Sequence, residues 1–126
     1  MWCEKMCVEL GLVRHPHARL LQLHDALWRA HRIVIDCGLH GGGLTYDGAC
    51  RVLIRGVGFT KTRAQGDVNW YTGSPTVPMS YLIGKMEVMR LKRRKVDEGG
   101  WSLKRYNDWL LSFGTIPQRW IEQSGL

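Results

Sequence analysis

With 126 residues the chain has room for one domain with a real core, and its makeup, 44% hydrophobic and 23% charged, is that of an ordinary globular protein. No apolar run reaches membrane-spanning length. The opening segment MWCEKMCVELG interrupts its apolar pattern with charges and has no small-residue cleavage site, so it does not read as a signal peptide. Four cysteines without a C-x-x-C pair read as reduced thiols of a cytoplasmic protein, and a net charge of +7 keeps an acidic partner in view.

Helix signals dominate from the start. Residues 2–10 are apolar at helical spacing and stop at Gly11; Cys3 and Cys7, four apart, serve packing better than metal binding. Pro16 suits the first turn of the next helix, which runs through Leu20, Leu21, Leu23, Leu27 and Trp28 to Cys37 and stops at Gly38. Gly41, Gly42 and Gly43 form a joint. Thr45 caps a short helix over 46–54, broken by Gly56 and Gly58, and Thr62 opens another through Val68, Trp70 and Tyr71 to Gly73. The turn SPTVP follows at 74–78. The longest clear helix carries Met79, Leu82, Ile83, Met86, Val88 and Met89 and ends at Gly99-Gly100; its methionines read as core. Ser102 caps a helix that Gly114 stops, and Pro117 begins a last one with Trp120 and Ile121. The expected fold is all-α, an irregular bundle of six or seven helices forming one domain over 1–126.

The segment 27–40, LWRAHRIVIDCGLH, is the least ordinary. Arg29, Arg32, Asp36 and His40 recur at spacings of three, four and four, so they share one helix face, while Trp28, Ile33, Val34, Ile35 and Leu39 cover much of the rest. Such a helix is usually buried, and buried charges are costly unless paired or used. Arg32 and Asp36 form an i, i+4 pair, ordinarily structural. His40 follows the expected helix stop and precedes three glycines, which lets its ring move toward a cleft; the alternative is a histidine on terminal carbonyls. Tyr71 and Tyr81 flank the proline turn and can stabilise an oxyanion or simply pack as core aromatics.

Other chemistry finds less footing. There is no P-loop, G-x-G-x-x-G, G-x-S-x-G or H-E-x-x-H motif. His17, His24 and His31 are seven apart, about 10 Å per step along a helix, too far to share one ion. The segment 85–95, from Lys85 to Lys95, holds six basic residues and one acid; without interleaved aromatics it reads as a solvated helix end before it reads as a nucleic-acid face.

The run L-W-R-A-x-R-I-V-I-D-C-G-L-H at 27–40 and the block DVNWYTGSPTVPMSYLIGK at 67–85 resemble the signature of a large bacterial family, the domain of unknown function 885. So do the amphipathic helix over 101–113 and the turn Gly114-Thr115-Ile116-Pro117. The resemblance implies a gluzincin-like helical fold, of which this chain is similar to the C-terminal part, in a zinc metallopeptidase-like protein. In that family H-E-x-x-[PG]-x-H and E-G-W-x-x-Y-x-E helices hold zinc. Trp2-Cys3-Glu4 resembles only the end of the second pattern, with Glu4 at its final position, so no metal ligand and no cofactor is expected in this chain.

On the resemblance, His40 and Tyr81, then Tyr71, are candidates for transition-state stabilisation, and Arg32 and Asp36 brace the binding site. Two positions depart from the family pattern: Trp70 stands where it usually has arginine, and Leu44 where it usually has tryptophan. The expected function is a non-catalytic remnant or fragment that keeps the substrate-cleft wall, with a peptide as ligand. A homo-oligomer is expected, because the chain begins inside what looks like a helix of the larger fold and so leaves apolar faces uncovered. The alternative is an interaction or nucleic-acid-binding module using 85–95.

Overall fold

In a computed structural model the structure is described for residues 2–123, apart from the side chains of Trp2, Cys3, Glu9 and Gln118. The Cys3–Cys7 pair and the Trp2-Cys3-Glu4 match thus fall partly outside the described residues. The fold is all-helical, with seven α-helices among those residues: α1 Trp2–Glu9, α2 Ala18–His40, α3 Tyr46–Val57, α4 Lys61–Thr72, α5 Val77–Lys92, α6 Leu103–Ser112 and α7 Gln118–Gln123, with a π-helical turn at Arg93–Asp97. They pack as two compact units, Met1–Ile83 and Gly84–Leu126.

The core of the first unit lies where α2, α3 and α4 meet. On α3 the buried side chains are Ala49, Cys50, Leu53 and Val57, an i, i+1, i+4, i+8 stripe, with Gly48 buried beside them. They join Ile35 of α2, Phe59 of the α3–α4 loop, and Ala64, Val68 and Tyr71 of α4. Burial raises the Cys50 thiol pKa, so it sits there as an uncharged hydrophobe. Thr45 caps α3 by accepting the Gly48 N–H, and Gly58, at φ +81°, closes it in the left-handed conformation. Thr60, not Thr62, caps α4.

Two expected helix breakers are packing sites instead. Gly38 continues α2, which runs on to His40 and ends at Gly41. A Cβ on Gly38 would stand 2.8 Å from Cβ of Leu44, so the absent side chain makes room for the returning loop. Gly56 lies inside α3, where a Cβ would come within 2.3 Å of the His31 ring on α2. A single glycine costs a helix about 1 kcal/mol, and close packing of two helices offsets that. Of the three heptad-spaced histidines, His17 and His24 are exposed and His31 is half-buried.

In the second unit Tyr106, Leu91 and Ile121 are buried. The Tyr106 hydroxyl donates to the Val88 carbonyl at 2.7 Å. Ser102 caps α6 through the Arg105 N–H. Trp109 meets Trp101 and Phe113 edge-on, with centroids 5.6 and 5.2 Å apart. Met86, expected in the core, is 60% exposed.

Candidate functional site

The polar stripe of α2 divides. Arg29 faces α1 and its own helix, with Glu4 and Asp25 each 3.4 Å away. Arg32, Asp36 and His40 face the α4–α5 connection. All of these groups belong to the first unit.

Asp36 is 3% exposed, and its carboxylate caps α5 from another helix. Oδ1 accepts the Thr76 N–H at 3.1 Å and Oδ2 accepts the Met79 N–H at 3.3 Å. These are the residue just before α5 and its third residue, the donors that a helix N-terminus leaves unsatisfied. Pro78, the second residue, has no N–H to satisfy and is fully buried. The negative charge also suits the positive end of the helix dipole. Thr76 itself stands at φ +68°, where a β-branched residue is strained, and the Asp36 bond helps hold it there.

That cap fixes Tyr81, one turn further along α5. Its ring sits 4.7 Å from the guanidinium carbon of Arg32. Three more rings surround the same cation: Trp28 at 5.2 Å, Tyr71 at 5.5 Å and Trp70 at 5.6 Å. Arg32 is 5% exposed. Nε is buried with no hydrogen-bond partner, and among the described residues the guanidinium makes no ion pair. The Arg32–Asp36 pair expected from the i, i+4 spacing is therefore not an ion pair: the carboxylate is taken up by the α5 backbone, and the cation by aromatic rings.

His40 is the last residue of α2, and so is not released by a helix stop at Gly38. Its Nε2 lies 3.2 Å from the Tyr71 carbonyl and 3.5 Å from Asp36 Oδ1, with a third of the side chain exposed. A donating Nε2–H leaves Nδ1 as the free acceptor in the neutral ring. Tyr71 is engaged on both sides, its hydroxyl accepting from Trp28 Nε1 at 3.0 Å and donating to Asp67 at 3.2 Å. Burial pushes its hydroxyl up to about 12. Tyr71 thus supports the site from behind. Tyr81 is half exposed, and its hydroxyl has no hydrogen-bond partner among the described residues.

The five sequence-selected residues therefore gather in one place: Asp36 ties His40 to the start of α5, and Arg32 lies among the rings of Tyr71 and Tyr81. Trp28 and Trp70, walls of the Arg32 recess, and Asp67, the acceptor for Tyr71, were not singled out as site residues. Trp28–Arg32 and Asp67–Tyr71 are both i, i+4 pairs, a spacing that could have suggested them. Zinc is not accommodated by this set. Both Asp36 oxygens accept backbone N–H groups, and His40 Nε2 is directed at a carbonyl. Among the described residues no three His, Cys, Asp or Glu side chains group closely enough to hold a metal ion.

Comparison with known proteins gives the family. The chain belongs to the bacterial proteins of unknown function DUF885, whose family model matches residues 1–124. It matches no curated protein and no solved structure.

Proposed function

We propose that the first unit forms a ligand-cleft wall of a metallopeptidase-like protein, binding peptide without hydrolysing it. One observation carries this reading: the buried Asp36 carboxylate joins His40 at the end of α2 to the capped start of α5, and so places Tyr81 over Arg32. A buried charge committed to holding a half-exposed tyrosine and histidine in register suits a binding surface. In this reading Tyr81 and the His40 ring meet the ligand, Asp36 and Tyr71 hold them, and hydrolysis needs metal ligands that these residues do not supply.

The test uses the 126-residue chain incubated with zinc and a mixture of short peptides. The expected result is no peptide cleavage, no tightly held zinc, and slower amide exchange over 67–85 when peptide is present. One zinc per chain with chelator-sensitive hydrolysis overturns the reading, as does exchange that peptides leave unchanged.

A second reading, self-association, rests on the N-terminal half of α2. Leu20, Leu21, Leu23 and Leu27 are all exposed there, and a recess of about 480 Å³ nearby is lined by Cys7, Val8, Val13 and Leu21. Light scattering at micromolar concentration decides it: a dimer that Leu20→Glu dissociates supports it, and a monomer excludes it. A nucleic-acid role for 85–95 has less behind it, because Arg90, Arg93 and Arg94 are already paired with Glu87, Glu98 and Glu122.

A further inference from the structure

Arg32 presents a problem that the cleft reading leaves open. A guanidinium has five N–H donors and no way of shedding its charge. Here it is 5% exposed, its Nε is unpartnered, and no carboxylate pairs with it among the described residues. Four aromatic rings offset part of the cost, but a ring face is a poor hydrogen-bond acceptor. The group is thus stabilised as a cation while its buried Nε donor finds no acceptor in the chain. That combination is suited to an anion from outside the chain.

The rings also say which anion. The neighbouring cation Arg29 is occupied by Glu4 and Asp25, and the exposed Arg63, on the Trp28 ring, stacks against Phe59 at 3.8 Å, which leaves Arg32 as the buried cation without a carboxylate. A planar carboxylate matches the guanidinium fork in two parallel hydrogen bonds, whereas a phosphate dianion calls for further cations. The apolar ring walls suit an organic group attached to that carboxylate. Of the four rings, Trp70 and Tyr81 are the exposed ones, at 46% and 51%, and neither makes a side-chain hydrogen bond among the described residues, so a ligand would reach Arg32 past them. Either ring can turn aside without breaking such a bond.

We propose that Arg32, with Trp28, Trp70 and Tyr81 around it, is a receptor for a single carboxylate carried on an apolar or aromatic group. This rests on the cleft reading and assigns its ligand chemistry: the carboxylate belongs to a peptide C-terminus or to an acidic side chain. Asp36 and Tyr71 are positioning residues for the receptor, and Tyr81 is its movable wall.

The test is calorimetric titration of the full chain with hippurate, with its neutral amide, and with N-benzoyl-isoglutamine, which carries its carboxylate on the side chain. Tryptophan fluorescence gives a second readout from Trp28 and Trp70. Hippurate is expected to bind roughly tenfold or more tightly than its amide, the difference made by hydrogen bonds to a charged group. Arg32→Met should remove that preference, and Tyr81→Ala, at an exposed position, should weaken hippurate. Isoglutamine binding as tight as hippurate points to an acidic side chain, and weaker binding to a peptide C-terminus. Equal binding of acid and amide overturns the carboxylate and leaves the cleft. Binding of neither removes both. Inorganic phosphate competing more strongly than acetate also overturns the proposal. Should Arg32→Met fail to fold, the acid–amide contrast on the unaltered chain and Tyr81→Ala still decide.

Discussion

The Asp36 carboxylate accepts the backbone N–H of Thr76, forty residues further along the chain, at 3.1 Å. With the Met79 N–H on its other oxygen, it caps α5 in the way a residue at the helix's own N-terminus ordinarily does. A helix start is thus fixed by a side chain from α2, and the distance between the two parts of the site is set by one buried carboxylate.

Removing that carboxylate should be costly. Asp36→Ala leaves the part-buried N–H groups of Thr76 and Met79 without their acceptor and removes the charge from the helix start, and the expected loss is about 1–3 kcal/mol in denaturant unfolding. Asp36→Asn, which keeps one acceptor oxygen, should lose less. A loss below about 0.5 kcal/mol for Asp36→Ala would show that α5 is held without the cap.

Thr76 should tolerate glycine. Its φ of +68° suits a residue without Cβ, so Thr76→Gly relieves strain while keeping the N–H that Asp36 accepts. Thermal unfolding is expected to show stability unchanged or raised by up to about 1 kcal/mol. A marked fall in Tm would mean the threonine side chain stabilises the turn.

The approach of α2 and α3 at Gly56 gives a paired test. Gly56→Ala drives a methyl into the His31 ring and should cost about 1–3 kcal/mol by overpacking. His31→Ala in the same chain should recover part of that. Independent, additive effects in the double-mutant cycle would place the two residues out of contact.

Alkaline pH should destabilise the fold through Tyr71 and Tyr106, whose hydroxyl pKa burial pushes up to about 12 from the ordinary 10.0. The unfolded chain loses these protons first, so above pH 10 it binds fewer protons than the folded one. Stability is then fully present below about 10 and is lost as pH rises toward about 12. Tyrosinate absorbance should lag in the folded protein. Phenylalanine at either position should flatten the loss above pH 10, and an unchanged slope would contradict the assignment.

Acid acts on the second unit. Glu122 accepts from Arg90 at 2.7 Å, and that bond holds its carboxyl below the usual carboxylate range. Its contribution is present above the unfolded carboxylate pKa and is lost as pH falls through the lower folded value. Glu122→Gln should therefore weaken the fold at neutral pH and reduce its loss in acid, read by circular dichroism across a pH series.

Spacing and capping chemistry make the helical class, and five of the residues that gather beside the start of α5, legible before folding. Periodicity put Arg32, Asp36 and His40 on one face of α2, Thr45 and Ser102 announced two helix starts, and the block around Tyr71 and Tyr81 carried the family signature. These are local properties, set by side-chain spacing and capping chemistry. Partners, by contrast, are chosen in the folded chain. Spacing offered Arg32 to Asp36, but backbone N–H groups of a turn forty residues away took the carboxylate, and a backbone donor has no signature of its own in a sequence. Gly38 and Gly56 read as breakers because their solitary effect is to weaken a helix; Leu44 and His31, arriving from elsewhere in the chain, made the missing side chains a requirement of packing. The closing of four rings around Arg32 is of the same kind, the joint product of α2, α4 and α5 once folded.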